Sequence, residues 1–317
     1  MAAILLTGAS SFTGLWIAEA LSAQGHEVVA PLRRAGDDAA GVRGLRVNRL
    51  AQAADLVFDA PLGSPAFLQL VEGRRWDLLA HHAADIPNYR SPDYDPVAGL
   101  VRNTEGAAET IKAFAKAGGR AVLATGTVFE PGEGGDPDAL AATPYGLSKA
   151  LTNETLRHLA GWAGLGFGRF VIPAPFGPWE ERGLAWSLFQ AWTEGRPGEV
   201  RTPAYVRDHL PAPLLGEAYA EAAAGLLAGQ DGLVARPSGM VAPVGEFAQK
   251  LAQEVRARTS LDCGLAEHPQ TAFPEPRERF NSNPRTFAGA AEAVFCDRYV
   301  AFYLDLQARG LLQGAAV

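Results

Sequence analysis

Cysteine is nearly absent from this sequence. Cys263 and Cys296 are the only two among 317 residues, and they show no metal-ligand spacing. This argues against a disulfide-stapled scaffold and makes a reducing compartment the default. Long runs of one charge are absent as well. The net charge of −7 is spread along the chain, which argues against nucleic acid and an anionic membrane as partners. It leaves room for a small anionic molecule held by a local patch. No stretch reaches the ~20 apolar residues needed to span a bilayer, and the segment from Met1 to Thr7 has no basic region ahead of a long apolar core. No membrane partner and a cytoplasmic location are expected. With 48% hydrophobic residues, the chain can bury a large core in one domain or two lobes. It carries no internal repeat and no low-complexity tract.

What the chain does have is Pro144-Tyr145-Gly146-Leu147-Ser148-Lys149. Pro144 suits the first turn of a helix, and Tyr145 and Lys149, four apart, project from one helical face. A cation beside a phenol favours phenolate and lowers the tyrosine pKa, which would equip Tyr145 to donate or accept a proton at neutral pH. The same spacing occurs in ordinary amphipathic helices with a half-buried Tyr and an exposed Lys, so its meaning depends on the rest of the chain.

Ala3-Ile4-Leu5-Leu6-Thr7 reads as a buried strand. Gly8-Ala9-Ser10-Ser11-Phe12-Thr13-Gly14 follows at once, then a helix to about Ala23 with Gly14, Ile17, Ala18 and Leu21 on one face. Glu27 to Leu32 reads as the next strand. Strand, glycine turn, helix and strand form the first unit of a nucleotide-binding sheet, whose turn offers backbone N–H groups to a pyrophosphate. Ser11 stands where a middle glycine might be expected; its side chain either narrows the approach of the phosphate or donates to it. An acid after the second strand would bond the ribose hydroxyls of NAD. Arg33 and Arg34 stand there instead and suit a 2′-phosphate, which favours NADP; for one of the two, a solvated basic turn reads equally well.

Leu56 to Asp59 reads as the third strand, with Asp59 near an adenine, and Trp76 to Ala84 as the fourth. The small Ala83-Ala84 pair lets that chain run close to a cofactor. His81 and His82, adjacent on a strand, point to opposite faces and read as core or cofactor-side packing. Asp95-Pro96 opens one long helix with Val97, Val101, Thr104, Ala108, Ile111 and Ala115 as its apolar face and Asn103 outside it. Arg120 to Thr125 is the fifth strand, with Thr125 at the edge where open α/β sheets bind ligands. Phe167 to Ile172 is the sixth.

In this order, Gly8-x-x-x-Phe12-x-Gly14, Ala83-Ala84, Asn103, Thr125 with Val128-Phe129, and Tyr145-x-x-x-Lys149 resemble the extended short-chain dehydrogenase/reductase family. The resemblance implies an α/β fold: a Rossmann doubly wound parallel sheet in residues 1–172 and a smaller α/β, mainly substrate-binding lobe in 173–317, with segments returning to the sheet. It implies bound NADP or NAD, held by Gly8, Ser10, Ser11, Phe12, Gly14, Arg33, Arg34, Asp59, Ala83, Ala84, Lys149 and Pro173. Tyr145 would be the proton donor or acceptor, and Lys149 would hold the nicotinamide ribose and tune Tyr145. Thr125 would bond the substrate oxygen, with Thr127 beside it, and Asn103 would order the helix and a proton relay.

Sugar-nucleotide members of the family carry an aromatic-Gly-Pro after the sixth strand, matched by Phe176-Gly177-Pro178. Their usual asparagine and arginine fall here at Ala174 and Val171, which is a departure. Tyr205-Val206-Arg207-Asp208 resembles the segment whose arginine grips a nucleotide diphosphate. Arg207 is therefore the candidate substrate-anion ligand, or else it pairs with Asp208 or lies solvated at the rim. The stretch from Pro274 to Pro284, with Arg277 and Arg279, reads as a loop that could form a lid. Family members often pair through two helices flanking the tyrosine, which implies a homodimer contact through about 97–116 and 145–160.

Dehydratases of the family place Asp-Glu directly after the threonine; Gly126-Thr127 stand here. The remaining readings are a ketoreductase acting on a nucleotide-linked sugar, a nucleotide-sugar C4 epimerase with retained NAD, and a non-catalytic NADP-binding sensor. Arg33 and Arg34 favour exchangeable NADPH, so a ketoreductase is the sequence-based expectation.

Overall fold

The computed structural model describes residues 1–34, 41–86, 89 and 91–313. Its first half alternates strand and helix: β1 (Ala3–Thr7), α1 (Phe12–Ala23), β2 (Glu27–Pro31), α2 (Gly41–Leu50), β3 (Asp55–Val57), α3 (Pro65–Glu72) and β4 (Leu78–His81). Then come α4 (Pro96–Thr104), α5 (Ala107–Lys116), β5 (Ala121–Thr127), α6 (Pro144–Trp162) and β6 (Gly166–Ile172). The remainder is β7 (Ala174–Phe176), α7 (Leu184–Thr193), β8 (Gly198–Val200), β9 (Val206–Pro211), α8 (Ala212–Leu227), β10 (Val234–Ala235), β11 (Pro237–Ser238) and β12 (Met240–Pro243). It closes with α9 (Val244–Arg256), β13 (Leu265–Glu267), β14 (Glu278–Arg279), β15 (Asn283–Pro284) and α10 (Ala291–Ala308).

A seven-stranded sheet runs β10-β6-β5-β4-β1-β2-β3, with every neighbouring pair parallel. This is the Rossmann arrangement that the sequence implies. Strand side chains alternate between faces. Leu6, Leu123 and Phe170 pack with Ile17, Leu21, Leu215 and Tyr219 on the side of α1 and α8. Leu5, Leu79 and Val122 pack with Phe67, Phe114 and Leu156 on the side of α3, α5 and α6. Thr7 pairs with His81, and His81 with Ala124, so β1 and β4 end together while β5 runs on beside them to Thr127. A third core joins α7, α9 and α10 through Phe189, Tyr299 and Tyr303. Among the described residues no helix is long and apolar enough to cross a membrane.

Four local expectations are corrected. The single helix after Asp95 is two, because Gly106 takes φ +68° and the backbones of Gly106 and Gly63 touch; a Cβ on Gly106 would sit 2.4 Å from Gly63 Cα. The buried face of that region is Gly99, Asn103, Ala107, Thr110, Ile111 and Phe114, whereas Val97 and Val101 are exposed. Small residues let α4 lie close to α6, and the two valines face away. The third strand ends at Val57, leaving Asp59 beyond it with φ +54°. The stretch from Pro274 to Pro284 is not a loose lid: β14 pairs with β9, and Arg279 and Asn281 are buried.

Candidate active site

The glycine turn is built from the end of β1. Gly8 adopts φ +74°, and a Cβ there would lie 2.7 Å from the Ala83 nitrogen, so only glycine lets the turn approach the chain leaving β4. Ser11 caps α1: its Oγ accepts from the Gly14 nitrogen at 3.0 Å. Phe12 is the first residue of α1. The Ser11 hydroxyl is thus engaged at the helix start. Ser10 is met from α2, as Arg46 Nε donates to its carbonyl at 3.0 Å and Arg43 reaches its Oγ at 3.4 Å. Both arginines escaped the sequence reading, because only the tertiary fold brings α2 over the turn. Arg33 and Arg34 lie exposed just past β2, at the same sheet edge. Asp59 is exposed past β3, and Pro173 is buried between β6 and β7. These residues fit a dinucleotide laid across the strand ends: a tight turn opening a helix, half-buried Ala83 and Ala84 beside it, and cationic forks at its flank.

The two histidines after Ala80 do face opposite ways. His81 Nδ1 lies 3.2 Å from Thr7 Oγ1. His82 Nε2 lies 2.9 Å from Thr13 Oγ1 and 3.3 Å from Ser11 Oγ, while its Nδ1 lies 3.0 Å from Thr125 Oγ1. Burial lowers both imidazoles to about 3, with Lys149 adding to the effect, so both are neutral. Thr125 stands two residues before the end of β5 and not at its end. Burial pushes up the phenol of Tyr219, and Thr125 acts on it in the opposite direction.

Tyr145 and Lys149 share one face of α6, which Thr143 caps through Gly146. The Tyr145 ring is half-buried, edge-on to Tyr89, Tyr94 and Phe129 at 5.4, 5.9 and 6.3 Å. Burial, followed by Tyr89, Glu130, Tyr94 and Asp85, raises its pKa above the usual phenol range. That reverses the expected direction. Lys149 is itself buried, 2% exposed; burial lowers its pKa and Glu130 pushes back. Among the described residues no hydrogen bond joins Tyr145 to Thr125. Asn103 Oδ1 accepts from the Asp85 nitrogen at 2.7 Å and its Nδ2 donates to Thr152 at 3.3 Å, which ties the chain after β4 to α6. Thr127 is buried, its nitrogen donating to Glu130 Oε1 at 2.7 Å.

Arg207 does not pair with Asp208, and its side chain is mostly but not wholly buried. It meets Glu275 at 3.1 Å and lies 4.1 Å over the Tyr205 ring. Asp208 instead accepts from the Gly239 and Asn281 nitrogens. Burial, then Arg279, lowers Arg207 to about 10. Arg279, which the sequence placed in a loop, shares Glu275 at 2.6 Å and lies 4.1 Å over Phe129, the ring edge-on to Tyr145. Two guanidiniums on one carboxylate leave net positive charge beside the phenol, suited to an anion.

The model of the NAD dependent epimerase/dehydratase family matches residues 4–207. Comparison with curated proteins gives no sequence match. Solved structures with the same fold include the Bordetella bronchiseptica enzyme WbmH in complex with NAD+ (20% identity, TM-score 0.68, 96% of this chain and 99% of that one). Another is UDP-glucose 4-epimerase with UDP-glucose from Thermotoga maritima (17%, 0.71, 96% and 99%). A third is UDP-glucuronic acid 4-epimerase from Bacillus cereus with UDP-glucuronic acid and NAD (16%, 0.71, 96% and 99%).

Proposed function

This chain belongs to the NAD-dependent epimerase/dehydratase family, and from that premise we propose that it is a nucleotide-sugar C4 epimerase that retains NAD through the reaction. It is an enzyme of the NAD(P)-dependent short-chain dehydrogenase/reductase type. The observation that carries the reading is the pairing of a Tyr145–Lys149 face on α6 with a two-arginine anion site that reaches the same phenol through Phe129. Likeness to 4-epimerase structures, one of them holding NAD, also supports it and favours it over the ketoreductase expectation.

In this reading residues 1–172 hold the dinucleotide and 173–317 gather the substrate. Gly8 to Gly14, Ala83, Ala84, Arg43 and Lys149 would hold the cofactor, which when bound supplies a two-electron acceptor at the sugar carbon and returns the pair to either face. Arg207 and Arg279 bind the diphosphate. Tyr145 exchanges the proton of the sugar hydroxyl: its raised pKa keeps the phenol in the neutral, proton-bearing form, and the Lys149 ammonium one turn along favours the phenolate needed to take a proton. Thr125 donates to the same sugar oxygen. Val97 and Val101 with Leu147 and Leu151 give α4 and α6 an exposed apolar face suited to a homodimer contact.

The test is extraction of dinucleotide from the pure protein, followed by incubation with UDP-linked sugars. Retained NAD and interconversion of C4 epimers without net cofactor turnover are expected. Stoichiometric NADPH consumption with a 4-ketosugar would establish the second reading, a ketoreductase, for which the basic stretch Arg33-Arg34 speaks.

A further inference from the structure

His82 is the polar side chain that connects the glycine turn to Thr125. Its ring carries no charge, so one nitrogen holds a proton and the other accepts. Nε2 faces two hydroxyls, Thr13 at 2.9 Å and Ser11 at 3.3 Å. Ser11 Oγ accepts the Gly14 N–H and still has a proton of its own to give His82. Two tautomers fit these distances. In one of them Thr13 and Ser11 donate to Nε2 and Nδ1–H donates to Thr125, which leaves the Thr125 proton free to be given onward. The Tyr219 ring stands edge-on to His82 at 6.5 Å and closes the far side.

We propose that His82 is a positioning residue for Thr125: its Nδ1–H occupies a Thr125 lone pair and so keeps the threonine proton for donation to the substrate oxygen during reaction. A hydroxyl that receives a hydrogen bond becomes a stronger donor itself, and the received bond also fixes its rotation. Through Nε2 the same ring anchors to the first turn of α1, so the start of the phosphate-binding helix and the substrate-oxygen donor are held in one register. The kinetic part of this proposal rests on the epimerase reading; the tautomer does not.

The experiment uses protein labelled with 15N-histidine, with the His82 signals identified by their loss in His82→Leu. A neutral Nδ1–H tautomer at pH 7, with Nδ1 shifting in Thr125→Val, is expected. An Nε2–H tautomer or an imidazolium would overturn the proposal whatever reaction the enzyme performs. In turnover, His82→Leu should lower kcat by about tenfold, the effect of one lost hydrogen bond. The His82→Leu change should add almost nothing in the Thr125→Val background, and His82→Asn, which keeps a donor at the Nδ1 position, should recover most of the rate. Losses that simply multiply in the double variant would overturn it. Failure of the Tyr145→Phe control to lose activity would sink the epimerase reading instead and leave the tautomer measurement to decide this one.

Discussion

Asn153 Nδ2 donates to both carboxylate oxygens of Glu130, each at 3.0 Å. Asn153 is one turn beyond Lys149 on α6, so the bond draws an acid to within the electrostatic reach of the Tyr145–Lys149 face. Arg169 meets the same carboxylate at 3.1 Å, and the acid is almost fully buried. Glu130 raises the pKa of both Lys149 and Tyr145. It therefore opposes the effect that the ammonium has on the phenol.

Glu130→Gln should move the reaction's ascending pH limb to lower pH. The amide keeps a hydrogen-bond acceptor for Asn153 and Arg169 but removes the negative charge, so the phenolate forms more easily. A shift of up to about one pH unit corresponds to ~1.4 kcal/mol of altered interaction. The measurement is kcat/KM against pH in both proteins; an unmoved limb would mean that Glu130 does not influence the proton-exchanging group.

Tyr145→Phe removes the oxygen and keeps the ring that Tyr89, Tyr94 and Phe129 surround. Turnover should fall by about 10²–10⁴, the usual size of a lost acid–base group. Dinucleotide binding, followed by fluorescence titration, should stay within about twofold. Retained turnover would remove Tyr145 from the chemistry.

Arg279→Ala separates the anion site from the proton chemistry. Charge-assisted hydrogen bonds contribute about 1.5–3 kcal/mol, so KM for a UDP-sugar should rise by about tenfold or more, with a smaller change in kcat. Free UDP as a competitive inhibitor should weaken in parallel. Glu275→Gln should act in the opposite direction on UDP affinity, because it releases two guanidiniums from one carboxylate.

What could be read from the sequence was what depends on local pattern. The β1 run, the glycine turn and the α1 face are visible because burial alternation and helical spacing are written in consecutive residues. The break at Gly106 was not visible, since it arises from contact with Gly63, distant in the chain. The face of α4 misled because two valines four apart look like a core stripe, while the residues that do pack are a glycine and an asparagine. Arg43, Arg46 and Arg279 carry no local signal; each acquires its place from a partner in another element. The Tyr145–Lys149 pair was legible as a spacing, but the sign of the tyrosine shift was not, because the burial that dominates it, with Tyr89 and Glu130 added, arises only through the fold.

Acid stability supplies a last test of the buried histidines. His81 and His82 are lowered to about 3 and His209 to about 4, in each case first by burial. An unfolded chain binds these protons near pH ~6.5, whereas the folded chain does not until far lower. Each histidine is therefore without penalty above about pH 6.5, and each costs about 1.4 kcal/mol for every pH unit below it, down to its folded value. Glu130 and Asp208 carry the opposite sign, since burial raises their carboxyls and folding gains protons there as pH falls. A comparison with His82→Leu isolates the histidine contribution. At pH 7.5 the variant should be the less stable, having lost the bonds to Thr13 and Thr125. The gap in Tm should narrow steadily from pH 6.5 to pH 5, because only the wild type retains that imidazole to protonate on unfolding. A gap that stays constant across that window would show that His82 is already charged in the folded protein or is open to water.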